Sequence, residues 1–138
     1  MQTRKAFMLG RTVIGANLML DTLLLCWLLA CCQTFQVERP FAEAVMRLES
    51  QNDPNLETRK VAGLFGLHKA YMKEHHGLTR AEVKNPFINI YFGVRAFAGT
   101  KGNEAKMIAR LKTYNKTWWR DNYIPDLMAT YRQFKRQR

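Results

Sequence analysis

The sequence predicts a small all-α domain with at most one short hairpin, preceded by an N-terminal transmembrane or signal helix. Three observations predict it. Apolar residues recur at helical spacing in successive stretches from Phe41 to Phe134, and no run alternates in the period of a strand. Helix-start signals stand ahead of those stretches: Pro40, Thr79 with Glu82, Asn85-Pro86 and Pro125-Asp126. The first 33 residues differ in kind, being mostly apolar from Thr12 to Cys32, and residues 34–138 suffice for one modest core.

Within residues 1–33, Thr12 to Cys32 has the length of one membrane crossing, which takes roughly 20 residues. Asn17 and Asp21 weaken that reading, and the leucines around them offset it. Arg4, Lys5 and Arg11 precede the segment, so an uncleaved anchor keeps its N-terminus in the cytoplasm and turns the rest outward. A cleaved signal is the alternative, with Thr22 to Ala30 as its apolar core. Leu28-Leu29-Ala30-Cys31 is similar to a bacterial lipobox, which would lipidate Cys31.

In the domain, Pro40 fits a first helical turn, and Phe41, Ala44, Val45 and Leu48 follow on one face, with Glu49 at its edge. Asn52-Asp53-Pro54-Asn55 ends that helix. Thr58 to Leu64 is the one place for a hairpin, and Gly63 and Gly66 bracket a tight turn or a close backbone approach. Leu67 to Glu74 reads as a short helix ended by Gly77, and Thr79 with Glu82 is a capping box. Asn85-Pro86 starts a central helix with the stripe Phe87, Ile90, Tyr91, Val94, Phe97 and Ala98. A helix over 104–115 presents Met107, Ile108, Leu111 and Tyr114. The last opens at Pro125-Asp126, turns Leu127, Met128, Tyr131 and Phe134 inward, and ends in the basic run Arg132 to Arg138.

The chain holds 22 Lys and Arg against 11 Asp and Glu, a net charge of +11. Such a balance calls for an anionic partner: a phospholipid surface, an acidic polymer or nucleic acid. No nucleic-acid motif is present, so nucleic acid is not the expected partner. All three cysteines (Cys26, Cys31, Cys32) precede residue 34, so the domain has no disulfide framework or thiolate metal site. Of His68, His75 and His76 the last two are adjacent on a helix end, with no matching third ligand; neither metal nor cofactor is expected.

Four segments stand in order: Glu49-Ser50; Gly63-Leu64-Phe65-Gly66-Leu67 with His68-Lys69; Asn85-Pro86-Phe87-Ile88-Asn89-Ile90 with Gly93; and Tyr114-Asn115. Together they resemble the lytic transglycosylases related to the soluble bacterial enzyme and, more distantly, goose-type lysozyme. Glu49-Ser50 stands where that family has its catalytic Glu-Ser, and Tyr114-Asn115 matches its Tyr-Asn pair. Lys69 falls where the family has a glutamine, and His68 where it has methionine, which bears on sugar contacts more than on the reaction.

The resemblance implies a lysozyme-like helical fold and cleavage of the MurNAc–GlcNAc β-1,4 bond of peptidoglycan with closure of a 1,6-anhydro ring. Glu49 would be the single general acid and base, its carboxyl kept protonated by the apolar residues beside it. Tyr114 would hydrogen-bond that carboxyl, and Ser50 would help place the sugar. Gly66, Leu67, His68, Lys69 and Asn115 would line the substrate site. Asn89 reads as structural; of Trp118-Trp119 one reads as core and one as partly exposed, with stacking on sugar rings as the alternative. Two other readings stay open: a goose-type hydrolase, and a non-catalytic wall-binding module of a phage or secretion apparatus. The expected partners are peptidoglycan strands and, through the N-terminal segment, a membrane. The expected setting is the inner membrane facing the periplasm, a lipid-anchored envelope protein, or a virion.

Overall fold

Asp21 opens the first helix of the computed structural model, which describes residues 20–138. Its carboxylate accepts the Leu24 N–H at 2.9 Å and caps α1 (Thr22–Phe35). The acid that weakens a membrane crossing thus has a local task. Leu24, Leu28, Cys31 and Cys32 of α1 are buried. Cys31, the last residue of the lipobox-like run, is a core residue here, and burial pushes its thiol up to about 11 and that of Cys32 to about 12. The expected boundary at residue 33 falls inside α1, which packs along the central helix of the domain. Among the described residues no helix is long and apolar enough to cross a membrane, and Arg4, Lys5, Arg11 and the start of the expected anchor lie outside them.

The described residues are mostly helical, as the all-α reading expects. After α1 come α2 (Arg39–Ser50), a hairpin of β1 (Val61–Ala62) and β2 (Leu67–His68), α3 (Lys69–His76), α4 (Arg80–Lys84), α5 (Pro86–Arg95), α6 (Glu104–Tyr114) and α7 (Tyr123–Arg136). The capping signals act as read. Thr79 and Glu82 form a reciprocal capping box, Asn85 accepts from Phe87 and Ile88 N–H, and Gly77 ends α3 at φ +67°.

Three expectations shift. The hairpin pairs Val61 with His68 and Ala62 with Leu67, so Leu67 and His68 are strand residues and α3 starts two residues later than expected. Helix α7 starts at Tyr123, two residues before Pro125, because proline is tolerated throughout a first helical turn. Phe87, expected in the buried stripe, is 38% exposed and meets the edge of the Trp27 ring.

Two contacts set the frame. Helix α7 packs along α2, and α1 along α5. Between them, Phe41 meets Phe97 and Tyr131 edge-on, with ring centres 5.1 and 5.9 Å apart. The hairpin turn is tied to α5 by Asn89, which has no exposed surface. Its side chain accepts the Phe65 N–H at 2.8 Å and donates to the Ala62 and Val83 carbonyls at 2.9 and 2.8 Å. That satisfies backbone groups of a turn that has no regular ladder of its own.

Candidate active site

Glu49 lies on the last turn of α2, half-buried. The helix ends because Gln51 and Asn52 both take left-handed backbone, at φ 55° and 63°, and the Gln51 and Asn52 N–H groups return to the Arg47 and Met46 carbonyls.

The turn between β1 and β2 passes directly beside that carboxylate. Gly66 holds φ +57°, and a methyl group placed on it would stand 3.0 Å from Glu49 Oε1. A side chain there would crowd the acid, so the glycine permits the close approach. The turn is fixed from two sides: Asn89 takes the Phe65 N–H, and the Tyr114 hydroxyl donates to the Phe65 carbonyl. Tyr114 packs its ring on Phe97, centre to centre 4.8 Å.

The phenol on the carboxylate is Tyr123. Its hydroxyl donates to Glu49 Oε2 at 2.5 Å from the first residue of α7. Burial, then the Glu49 charge and the hydrogen bond to it, push the Tyr123 pKa far above its ordinary value, and the neighbouring Asn115 side chain acts weakly the other way. Tyr114 is also raised well above the usual range, first by burial and then by the Glu49 charge. Both phenols therefore stay protonated and can donate throughout the range in which a carboxyl group titrates.

The expected set is sorted by this geometry. Glu49, Gly66, Tyr114 and Asn115 come together. Tyr114 steadies the turn beside the acid through Phe65, and the expected phenol–carboxylate bond is made by Tyr123. Ser50 is fully buried and donates to the Met46 carbonyl one turn back at 3.0 Å, so its hydroxyl serves the helix and has no surface to offer a sugar. Leu67 is a buried strand residue and His68 an exposed one. Lys69 is almost wholly buried, and its ammonium donates to Glu57 and to the Thr58 carbonyl, each at 2.7 Å. This lysine therefore locks the loop before the hairpin.

Sequence reasoning missed Tyr123 because it started the last helix at Pro125. Tyr123 lies one turn before Leu127 on the face that buries Leu127 and Tyr131, and that periodicity is the signal that would have found it. Asn115 and Tyr123 bracket a loop in which Trp118 is half-buried under the Lys112 ammonium, and Trp119 is 63% exposed with the Arg120 guanidinium 4.7 Å from its ring centre. Comparison of the chain with protein-family profiles, with curated proteins and with solved structures gives no match.

Proposed function

We propose that the protein is a peptidoglycan lytic transglycosylase with a lysozyme-like helical domain and Glu49 as its single general acid and base. One observation carries the reading: a half-buried carboxylate receives a phenol hydroxyl at 2.5 Å and lies against a glycine-tight turn, assembled from segments that resemble that family in order. The next two acids after Glu49 in the chain are engaged in their own loop. Asp53 accepts the Asn55 N–H in its own loop, and Glu57 is held by Lys69 and Lys84. That favours a single-acid route over the two-carboxylate scheme of most glycosidases.

In this reading protonated Glu49 gives its proton to the oxygen between MurNAc C1 and GlcNAc C4 as the C1–O bond breaks. The muramyl N-acetyl oxygen supports the positive charge at C1. The carboxylate left on Glu49 then takes the proton from the muramyl C6 hydroxyl, whose oxygen closes on C1. The products are a free GlcNAc 4-hydroxyl and a 1,6-anhydromuramyl end, with no water consumed and Glu49 protonated again. Tyr123 steadies the carboxylate when it is charged, and Tyr114 holds the Phe65–Gly66 turn against it. The substrate places the domain in the envelope on the periplasmic side, or in a particle that attacks the wall.

The test is digestion of purified sacculi by the full chain, with the released fragments weighed by mass spectrometry. Anhydromuramyl ends are expected, and Glu49→Gln lowers release by about a thousandfold or more, the scale of losing a general acid together with its charge. Reducing ends would make the enzyme a hydrolase. Equal release by Glu49→Gln would end the enzyme reading.

A further inference from the structure

The outer face of α1 is apolar where a surface helix is ordinarily polar. Leu23, Cys26, Trp27 and Ala30 stand at positions i, i+3, i+4 and i+7, and all four are exposed, Leu23 to 70%. Leu29 is 38% exposed beside them, and no charged residue occurs between Thr22 and Phe35. The opposite face, with Leu24, Leu28, Cys31 and Cys32, is already spent on the core. A helix apolar on every side needs a second apolar neighbour. Phe87, exposed at the start of α5, extends the stripe, and Trp27 is fixed there by its Nε1–H bond to the Phe87 carbonyl at 2.8 Å.

Charge selects the occupant. Beside Phe87 in the chain, Lys84 and Arg80 are exposed, and with buried Lys69 they surround one carboxylate, Glu57, leaving an excess of positive charge. An exposed apolar stripe on a chain of net charge +11, with Lys84 exposed just before Phe87 in the chain, fits the headgroup–acyl boundary of an anionic bilayer. We propose that the outward face of α1, with Phe87, docks flat on an anionic phospholipid surface, so that the domain lies on the membrane through this face. The inference does not rest on the enzyme reading.

The experiment is co-sedimentation of the full chain with vesicles of phosphatidylglycerol and phosphatidylcholine, and with pure phosphatidylcholine. Binding to the anionic vesicles is expected, with an affinity about tenfold lower for Leu23→Ser/Trp27→Ser, since apolar contact supplies much of such binding. Circular dichroism checks the fold; should the double variant lose it, Leu23→Ser alone decides, with about a threefold loss expected. Unchanged affinity in a folded variant overturns the proposal, as does failure of the wild type to bind anionic vesicles. Lipid-free self-association that Leu23→Ser abolishes would assign the face to a second copy of the chain instead. Sacculus cleavage by Leu23→Ser stays at the wild-type level, which keeps this result separate from that of Glu49→Gln.

Discussion

In the proposed mechanism the Glu49 carboxyl releases a proton and takes one back, so it needs a neighbour that tolerates both states. Tyr123 is such a neighbour, because its own pKa is driven far up by burial and by Glu49, so it donates and does not compete for the proton. Tyr123→Phe keeps the ring and removes one hydrogen bond to a charged group, worth about 2 kcal/mol or about thirtyfold in rate. The loss is expected in kcat with the fold unchanged by circular dichroism. Removing a donor disfavours the charged form of the acid, so the alkaline limb of the pH–rate profile moves to higher pH. A merely structural tyrosine would lower stability and leave that limb in place. A difference titration at 295 nm between wild type and Tyr123→Phe should carry no phenol step near pH 10. At this scale the sequence disclosed which segments meet, since Glu49, Gly66 and Tyr114 sit in short recognisable segments that the fold brings together. Ser50 and Lys69 misled, because a residue type in a motif does not reveal which way its side chain turns; one faces the core and the other a carboxylate.

The helices were legible because their signals are local. Thr79 with Glu82, Asn85 with Pro86, and Gly77 each act within one turn of chain, and each does what its chemistry requires. The hairpin was harder, since two-residue strands carry no period and their register depends on α5, whose Asn89 binds the turn across 24 residues. Gly93 shows the same dependence from the other side: an added methyl group would overlap the Phe65 ring. Gly93→Ala is therefore expected to cost about 1–3 kcal/mol of stability, the usual range for overpacking, read as a lower melting temperature. It also displaces the turn that carries Gly66, so activity falls in protein that remains folded. The loop before the hairpin has its own pH dependence. Hydrogen bonds from Lys69 and Lys84 lower the Glu57 pKa to about 2. Between that value and the ordinary carboxylate range the unfolded chain binds the proton first, so this contribution is complete above the ordinary range and fades as pH falls toward 2. Melting temperatures of wild type and Glu57→Gln should differ at pH 7 and converge near pH 2; a constant gap would show that the ion pairs are not the cause.

For the whole molecule the dominant quantity is its net charge of +11, and the proposed substrate is a polymer bearing many peptide carboxylates. Charge of this kind acts before contact, concentrating the protein on the polymer, and is screened once the Debye length shrinks from about 10 Å at 0.1 M salt to about 3 Å at 1 M. The Glu49–Tyr123 contact is different in kind, being half-buried and 2.5 Å long, and added salt leaves it nearly untouched. The two scales therefore separate in one experiment. Across that range of salt, kcat/KM on intact sacculi is expected to fall at least tenfold, about 1.4 kcal/mol, while kcat at saturating sacculi changes by less than about twofold. Short, soluble, neutral glycan fragments should show little salt dependence in either constant, because they offer no field for the cationic surface to follow. A fall in kcat that parallels the fall in kcat/KM would mean that the basic residues act at the bond being cleaved, and charge would then belong to the site rather than to the approach.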